Sequence, residues 1–124
     1  MLIRCFLLIA VISAFVSQAL ARELWCLVDK KLHDGGEFEA SYIEEQRFGL
    51  IIEWHGDTAR ISRCDRSAPC DAYAIDHIAY TGGIMDITKF YYFRGQFDVQ
   101  LFSNLRFIEN NGRGGIAWGQ CWDR

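Results

Sequence analysis

The chain has 124 residues, with 13 Lys and Arg against 16 Asp and Glu, and 51% of it is hydrophobic. The charges are interspersed and form no basic stripe, which argues against nucleic acid as a natural partner. The length fits one domain.

The first stretch, MLIRCFLLIAVISAFVSQALA, has a positive charge at Arg4, an apolar run from Cys5 to Val16 and an Ala-Leu-Ala ending at Ala21. That order is a secretory signal peptide. The apolar run falls short of the roughly 20 residues that span a bilayer. Cleavage is expected after Ala21, giving residues 1–21 as the signal and 22–124 as a single secreted β domain. Trp25 stands where a lipoprotein signal needs a small residue before Cys26, so no membrane anchor is expected after cleavage. Removing Arg4 leaves 12 bases against 16 acids, a net charge of −4. The expected location is periplasmic or secreted.

Four cysteines stay with the domain: Cys26, Cys64, Cys70 and Cys121. An even number in an exported chain reads as disulfides, with three possible pairings. The favoured pairing joins Cys26 to Cys121 and Cys64 to Cys70. The first closes the domain end to end, and the second closes the short loop CDRSAPC, which holds the single proline. Five residues between Cys64 and Cys70 are too many for a zinc pair and do not make a Cys-x-x-Cys redox motif. No metal and no cofactor is expected.

Alternation of apolar and polar residues, the mark of half-buried strands, runs through the rest. In EFEASYI, Phe38, Ala40 and Tyr42 are placed on one face. In FGLIIEW, Phe48, Leu50, Ile52 and Trp54 share a face. His55-Gly56-Asp57 turns the chain, and TARIS returns with Ala59 and Ile61 inward, a hairpin. AYAIDHIAY fits a short helix or a strand, and strand is preferred. A turn at Thr81-Gly82-Gly83 follows. Then TKFYYFR, FDVQLF, LRFIE and GIAWGQC form a meander, separated by turn formers such as Asn-Asn-Gly-Arg-Gly. The expected fold is all-β: a single antiparallel β-sandwich or small barrel of seven to eight strands, stapled by disulfides.

Catalytic motifs are sparse. His33, His55 and His77 have no local ligand spacing and read as surface histidines. Asp76 and His77 are adjacent, so on a strand they face opposite ways. Glu44-Glu45 reads as a solvated strand end. No nucleophile elbow and no phosphate loop is present. The chain therefore reads as a binding domain with no catalytic residues. An enzyme on cell-wall or glycan substrates and a structural envelope protein are the alternatives. The aromatic excess raises the question of contact surfaces. Core packing is expected for Trp25, Trp54 and Trp118, with Trp122 partly exposed. The run FYYF (Phe90–Phe93) puts aromatics on both faces of one strand, so one face lies outside the main core, beside Arg94.

Two short stretches, Thr81-Gly82 and Tyr92-Phe93-Arg94-Gly95, together with an early and a late cysteine, resemble the periplasmic c-type lysozyme inhibitors of the MliC kind. That family pattern carries Ser-Gly-x-x-Tyr and Trp-x-Lys-Gly. Here threonine replaces the serine, Met85 stands in place of the first motif's tyrosine, Tyr92 replaces the tryptophan and Arg94 the lysine. The resemblance implies an exported antiparallel β domain. It also implies that Thr81 and Arg94 contact the catalytic carboxylates of a basic lysozyme as protein partner, with Tyr92 beside them.

Overall fold

A computed structural model describes residues 21–83 and 86–124. The expected signal peptide up to Leu20 and Met85 of the resemblance lie outside those residues. The strands are β1 Arg22–His33, β2 Gly36–Glu37, β3 Gly49–His55, β4 Thr58–Cys64, β5 Asp71–Ala74, β6 His77–Thr81, β7 Ile87–Tyr92, β8 Phe97–Phe102, β9 Arg106–Asn110 and β10 Ile116–Asp123. Among the described residues one helix, α1 Ala40–Gln46, interrupts them.

Nine strands form one antiparallel sheet in the order β5-β4-β3-β1-β10-β9-β8-β7-β6, with β2 added to β1. The sheet curls into a half-barrel, and the chain explains the curl. The two edge strands, β5 and β6, are consecutive in sequence and separated only by Ile75 and Asp76. The Ile75 amide donates to the Ala59 carbonyl on β4, and the Asp76 amide donates to the Tyr91 carbonyl on β7. So the link holds both edges at once, and the sheet has to bend until they meet. The preferred strand over AYAIDHIAY is thereby one extended stretch broken at this point, its first half pairing with β4 and its second with β7.

The expected all-β, disulfide-stapled barrel-type fold is present, with more strands than seven to eight. The additions are β1, the two-residue β2 and the division of AYAIDHIAY into β5 and β6; on β1, Leu24, Cys26 and Val28 alternate inward while Trp25 and Leu27 point out. The expected strand over EFEASYI is corrected to a helix. Only Gly36–Glu37 pairs with β1, and Ala40–Gln46 coils so that Ile43 alone is buried. Ala, Glu and Gln favour helix, and a seven-residue alternation is too short to outweigh them. Arg47 ends the helix in the left-handed region at φ 51°. Glu44 and Glu45 are therefore exposed helix residues rather than a strand end.

The concave face holds the core. Leu24, Leu50, Ile52, Ile61, Phe90, Val99 and Phe107 are all but completely buried, and Trp54 packs edge-on against Phe90. Phe48, Leu50, Ile52 and Trp54 share the inner face as their spacing predicts. The core expectation fails for two tryptophans. Trp25 is 37% exposed and lies on the outer face opposite Trp122, itself 44% exposed. Trp118 is half-buried on the same outer face, with the Lys30 ammonium 5.9 Å from its ring. The cause is parity: Cys26, Ala117, Gly119 and Cys121 take the inward positions of β1 and β10, so their bulkier neighbours face out.

Both disulfides, Cys26–Cys121 and Cys64–Cys70, form as favoured. Cys26 and Cys121 are directly opposite in the β1–β10 ladder. In the chain-entropy account the long closure is worth about 4.7 kcal/mol and the short one about 2.4. Changing Cys26 and Cys121 to serine is therefore expected to lower the denaturation midpoint about twice as far as changing Cys64 and Cys70, in parallel thermal and urea melts. Equal losses would contradict the assignment of the first bridge as the main constraint.

Candidate functional site

One end of the half-barrel gathers the β7–β8 and β9–β10 turns, the β1–β2 turn and the disulfide loop. A cavity of about 170 Å³ opens there, lined by Val28, Lys31, Phe48, Gly49, Arg63, Cys64, Asp65, Ala68, Pro69, Asp71, Glu109 and Ala117. The mouths of barrels are common ligand sites, because the strands hold side chains rigidly around a concave space.

Local structure explains each charged wall. On β4 the inward series Ala59 and Ile61 continues to Arg63, and on β9 Phe107 is followed two residues later by Glu109. Arg63 reaches across the concave space, and its Nη2 lies 2.6 Å from Glu109 Oε1. The Glu109 side chain is only 7% exposed and that of Arg63 23%. The pair struts the two halves of the sheet together. Arg63 also lies over the Phe97 ring at 5.1 Å.

Lys31 arrives by a different route. The β1–β10 register shifts between Val28 and Lys30, so Asp29 is an extra residue in the ladder. Such a bulge flips the faces of everything beyond it. Asp29 points outward, where Arg106 donates to it from Nη1 at 2.6 Å. Lys31 consequently turns inward, its ammonium 4.1 Å from the Phe48 ring centre and 5.4 Å from that of Phe38. Burial pushes its pKa below the usual lysine value, against an opposing pull from Glu109. Among the described residues no carboxylate lies within ion-pair distance of it. Ala117, opposite both Lys31 and Glu109 in its two ladders, separates these long side chains with a single methyl group and leaves the space open.

The CDRSAPC loop supplies another wall. Asp65 Oδ1 accepts from the Ser67 amide, the Ser67 hydroxyl and the Ala68 amide, at 2.8, 2.7 and 3.1 Å. These bonds, the hydroxyl first, hold the Asp65 pKa below the usual carboxylate value. The loop is thus fixed by the bridge and by its own polar knot. Asp71 follows on β5, opposite Arg63.

The residues singled out from sequence are divided between the ends. Tyr92 lies at the mouth end of β7, turned inward and packed on Tyr73 with ring centres 5.0 Å apart. Arg94 is exposed in the next turn. Thr81 stands at the far end of β6, paired with Ile87, and its hydroxyl donates to the Ile87 carbonyl. The length of β7, five steps of about 3.3 Å, separates it from Tyr92 and Arg94, so the three do not converge. The FYYF run splits as expected: Phe90 and Tyr92 face inward, while Tyr91 and the 62%-exposed Phe93 face out and stack with His77. Asp76 accepts from the Phe93 amide at 2.8 Å and makes no dyad with His77. His33 Nδ1 accepts from the Gly35 amide. No cluster of three metal-binding side chains occurs among the described residues, and none of their helices is long and apolar enough to cross a membrane.

Lys31, Arg63 and Glu109 went unnoticed in the sequence. For two of them a signal existed: continuing the inward alternation of TARIS and LRFIE by one step places Arg63 and Glu109 inside. Lys31 has no such signal, because the bulge at Asp29 is a tertiary choice. No family model, curated protein or solved structure matches this chain.

Two outcomes follow from the mouth's charges. Replacing Arg63 with Met strands a buried carboxylate and should cost about 3 kcal/mol in a urea melt at neutral pH. A second change, Glu109→Leu, should restore most of that loss. Separately, a depressed carboxylate pKa adds stability that is complete above the ordinary pKa and lost as pH falls through the depressed one. The Ser67 amide should therefore stay protected from exchange until pH drops below the usual Asp range, as followed by NMR, and lose protection at every pH in Asp65→Ala.

Proposed function

We propose that this chain is a small exported binding domain, not an enzyme, that works in the periplasm or outside the cell and takes a charged group of its partner into the open end of the half-barrel. The observation that carries the reading is a half-buried lysine ammonium on the wall of a preformed cavity, with no carboxylate within ion-pair distance among the described residues, next to a buried ion pair already satisfied. A half-buried cation that no carboxylate reaches within ion-pair distance is only partly compensated, and it gains when a complementary group arrives. The two disulfides fit an oxidising compartment. Walls fixed by a disulfide loop and by strands lose little entropy on binding, as a recognition site requires.

The sharper form, drawn from the sequence resemblance, makes the partner a basic c-type lysozyme. Arg94 and Tyr92 at the mouth end favour it, and a weakly acidic domain attracts a basic protein. Thr81, at the opposite end, takes no part in such a contact.

Titrating the ¹⁵N-labelled protein with acetate, with methylammonium and with c-type lysozyme tests both forms. The expected amide shifts fall on Lys31, Arg63, Glu109, Asp65 and Ala68. Shifts absent with all three, or confined to the outer tryptophan face, would overturn the mouth as the binding site. In a cell-wall turbidity assay the lysozyme form predicts inhibition that Arg94→Ala abolishes, and no inhibition at high molar excess rejects that partner.

A further inference from the structure

The mouth carries two unmatched charges of opposite sign. Lys31 is one. The other is Asp71, whose carboxylate has no cation within ion-pair distance among the described residues although Arg63 is its ladder neighbour. Arg63 is paired with Glu109, and Asp65 is held through its Oδ1 by its own loop, its charge reaching Lys31 only from beyond ion-pair distance. The remaining pair lines a single cavity from two sides, Lys31 on β1 and Asp71 on β5.

From this the geometry points to a small zwitterion as the ligand, the size of an α-amino acid, with its carboxylate on the Lys31 ammonium and its ammonium on the Asp71 carboxylate. The inference rests on the mouth being the binding site. Three features support the class. A ligand of zero net charge leaves the cavity's balance unchanged while neutralising both unmatched groups; a simple anion or cation would satisfy one and repel the other. The cavity, at about 170 Å³, is small: a void of about 150 Å³ takes a benzene ring. Its walls also include apolar surface from Val28, Phe48 and Ala117, which fits a short aliphatic side chain.

The test compares three probes by calorimetry and by amide shifts on the purified protein: L-alanine, N-acetyl-L-alanine, which lacks the ammonium, and L-alanine amide, which lacks the carboxylate. Alanine is expected to bind at least tenfold more tightly than either blocked form. Lys31→Met should remove the advantage of alanine over its amide, and Asp71→Asn the advantage over its N-acetyl form. Equal binding of alanine and a blocked form, with shifts still at the mouth, would overturn the zwitterion and leave the mouth as the ligand site. No mouth shift with any of the three would overturn the zwitterion as well, and the acetate and lysozyme titrations then decide the mouth separately. The wild-type comparison needs no variant, so misfolding of a mutant cannot shield the idea.

Discussion

The seam between the first and last strands is what the rest of the molecule depends on. β1 and β10 lie side by side at the centre of the sheet order, and the Cys26–Cys121 bridge spans them. A half-barrel built from a chain of this size has a thin core, since small domains bury a limited share of their surface. Fixing its two ends to each other removes the largest loop from the unfolded ensemble. The seam also demands a glycine. A side chain at Gly119 would run into the Leu27 carbonyl and the Phe107 ring.

From that seam the remaining strands run outward as hairpins on both sides until Ile75 and Asp76 pull the edges together. The curl creates an inside and, at one end, an opening. The core fills the middle of the inside with Leu, Ile, Val and Phe. Towards the opening the same inward positions carry Arg63, Glu109 and Lys31 instead. A buried ion pair of this kind is weak evidence for stability, because desolvation offsets much of the attraction. Placed beside an open cavity, it is better understood as part of a polar lining. The outer face shows the complementary pattern. Small inward residues on β1 and β10 send Trp25, Leu27, Trp118 and Trp122 outward, and they form an apolar stripe over the seam.

The CDRSAPC loop illustrates how a staple becomes a site wall. Its spacing and the signal peptide expected from the sequence already pointed to a disulfide and away from metal or redox chemistry. The fold adds that Cys64 ends β4 and Asp71 opens β5, so the loop has to sit on the rim, and Asp65 folds it back on itself. Nothing in the seven residues indicates that Lys31, 33 positions before the first of them, forms the neighbouring wall.

What the sequence determined by itself was the all-β class, the meander from Thr88 onward, the β3–β4 hairpin and the cysteine pairing. These rest on period-two alternation, on turn residues and on cysteine spacing, all of which are local or countable. The helix at Ala40–Gln46 was lost to a short false alternation, and β1 went unread beside its tryptophan and cysteine. The site was legible only in part: parity places Arg63 and Glu109 inside, but not opposite each other. Tertiary structure alone decided three things: the curl that lets those two meet, the bulge that turns Lys31 inward, and the placing of Thr81 and Arg94 at opposite ends. Each depends on which strands become neighbours and on where a ladder slips by one residue. Pairing between distant segments sets both, and no local pattern encodes it.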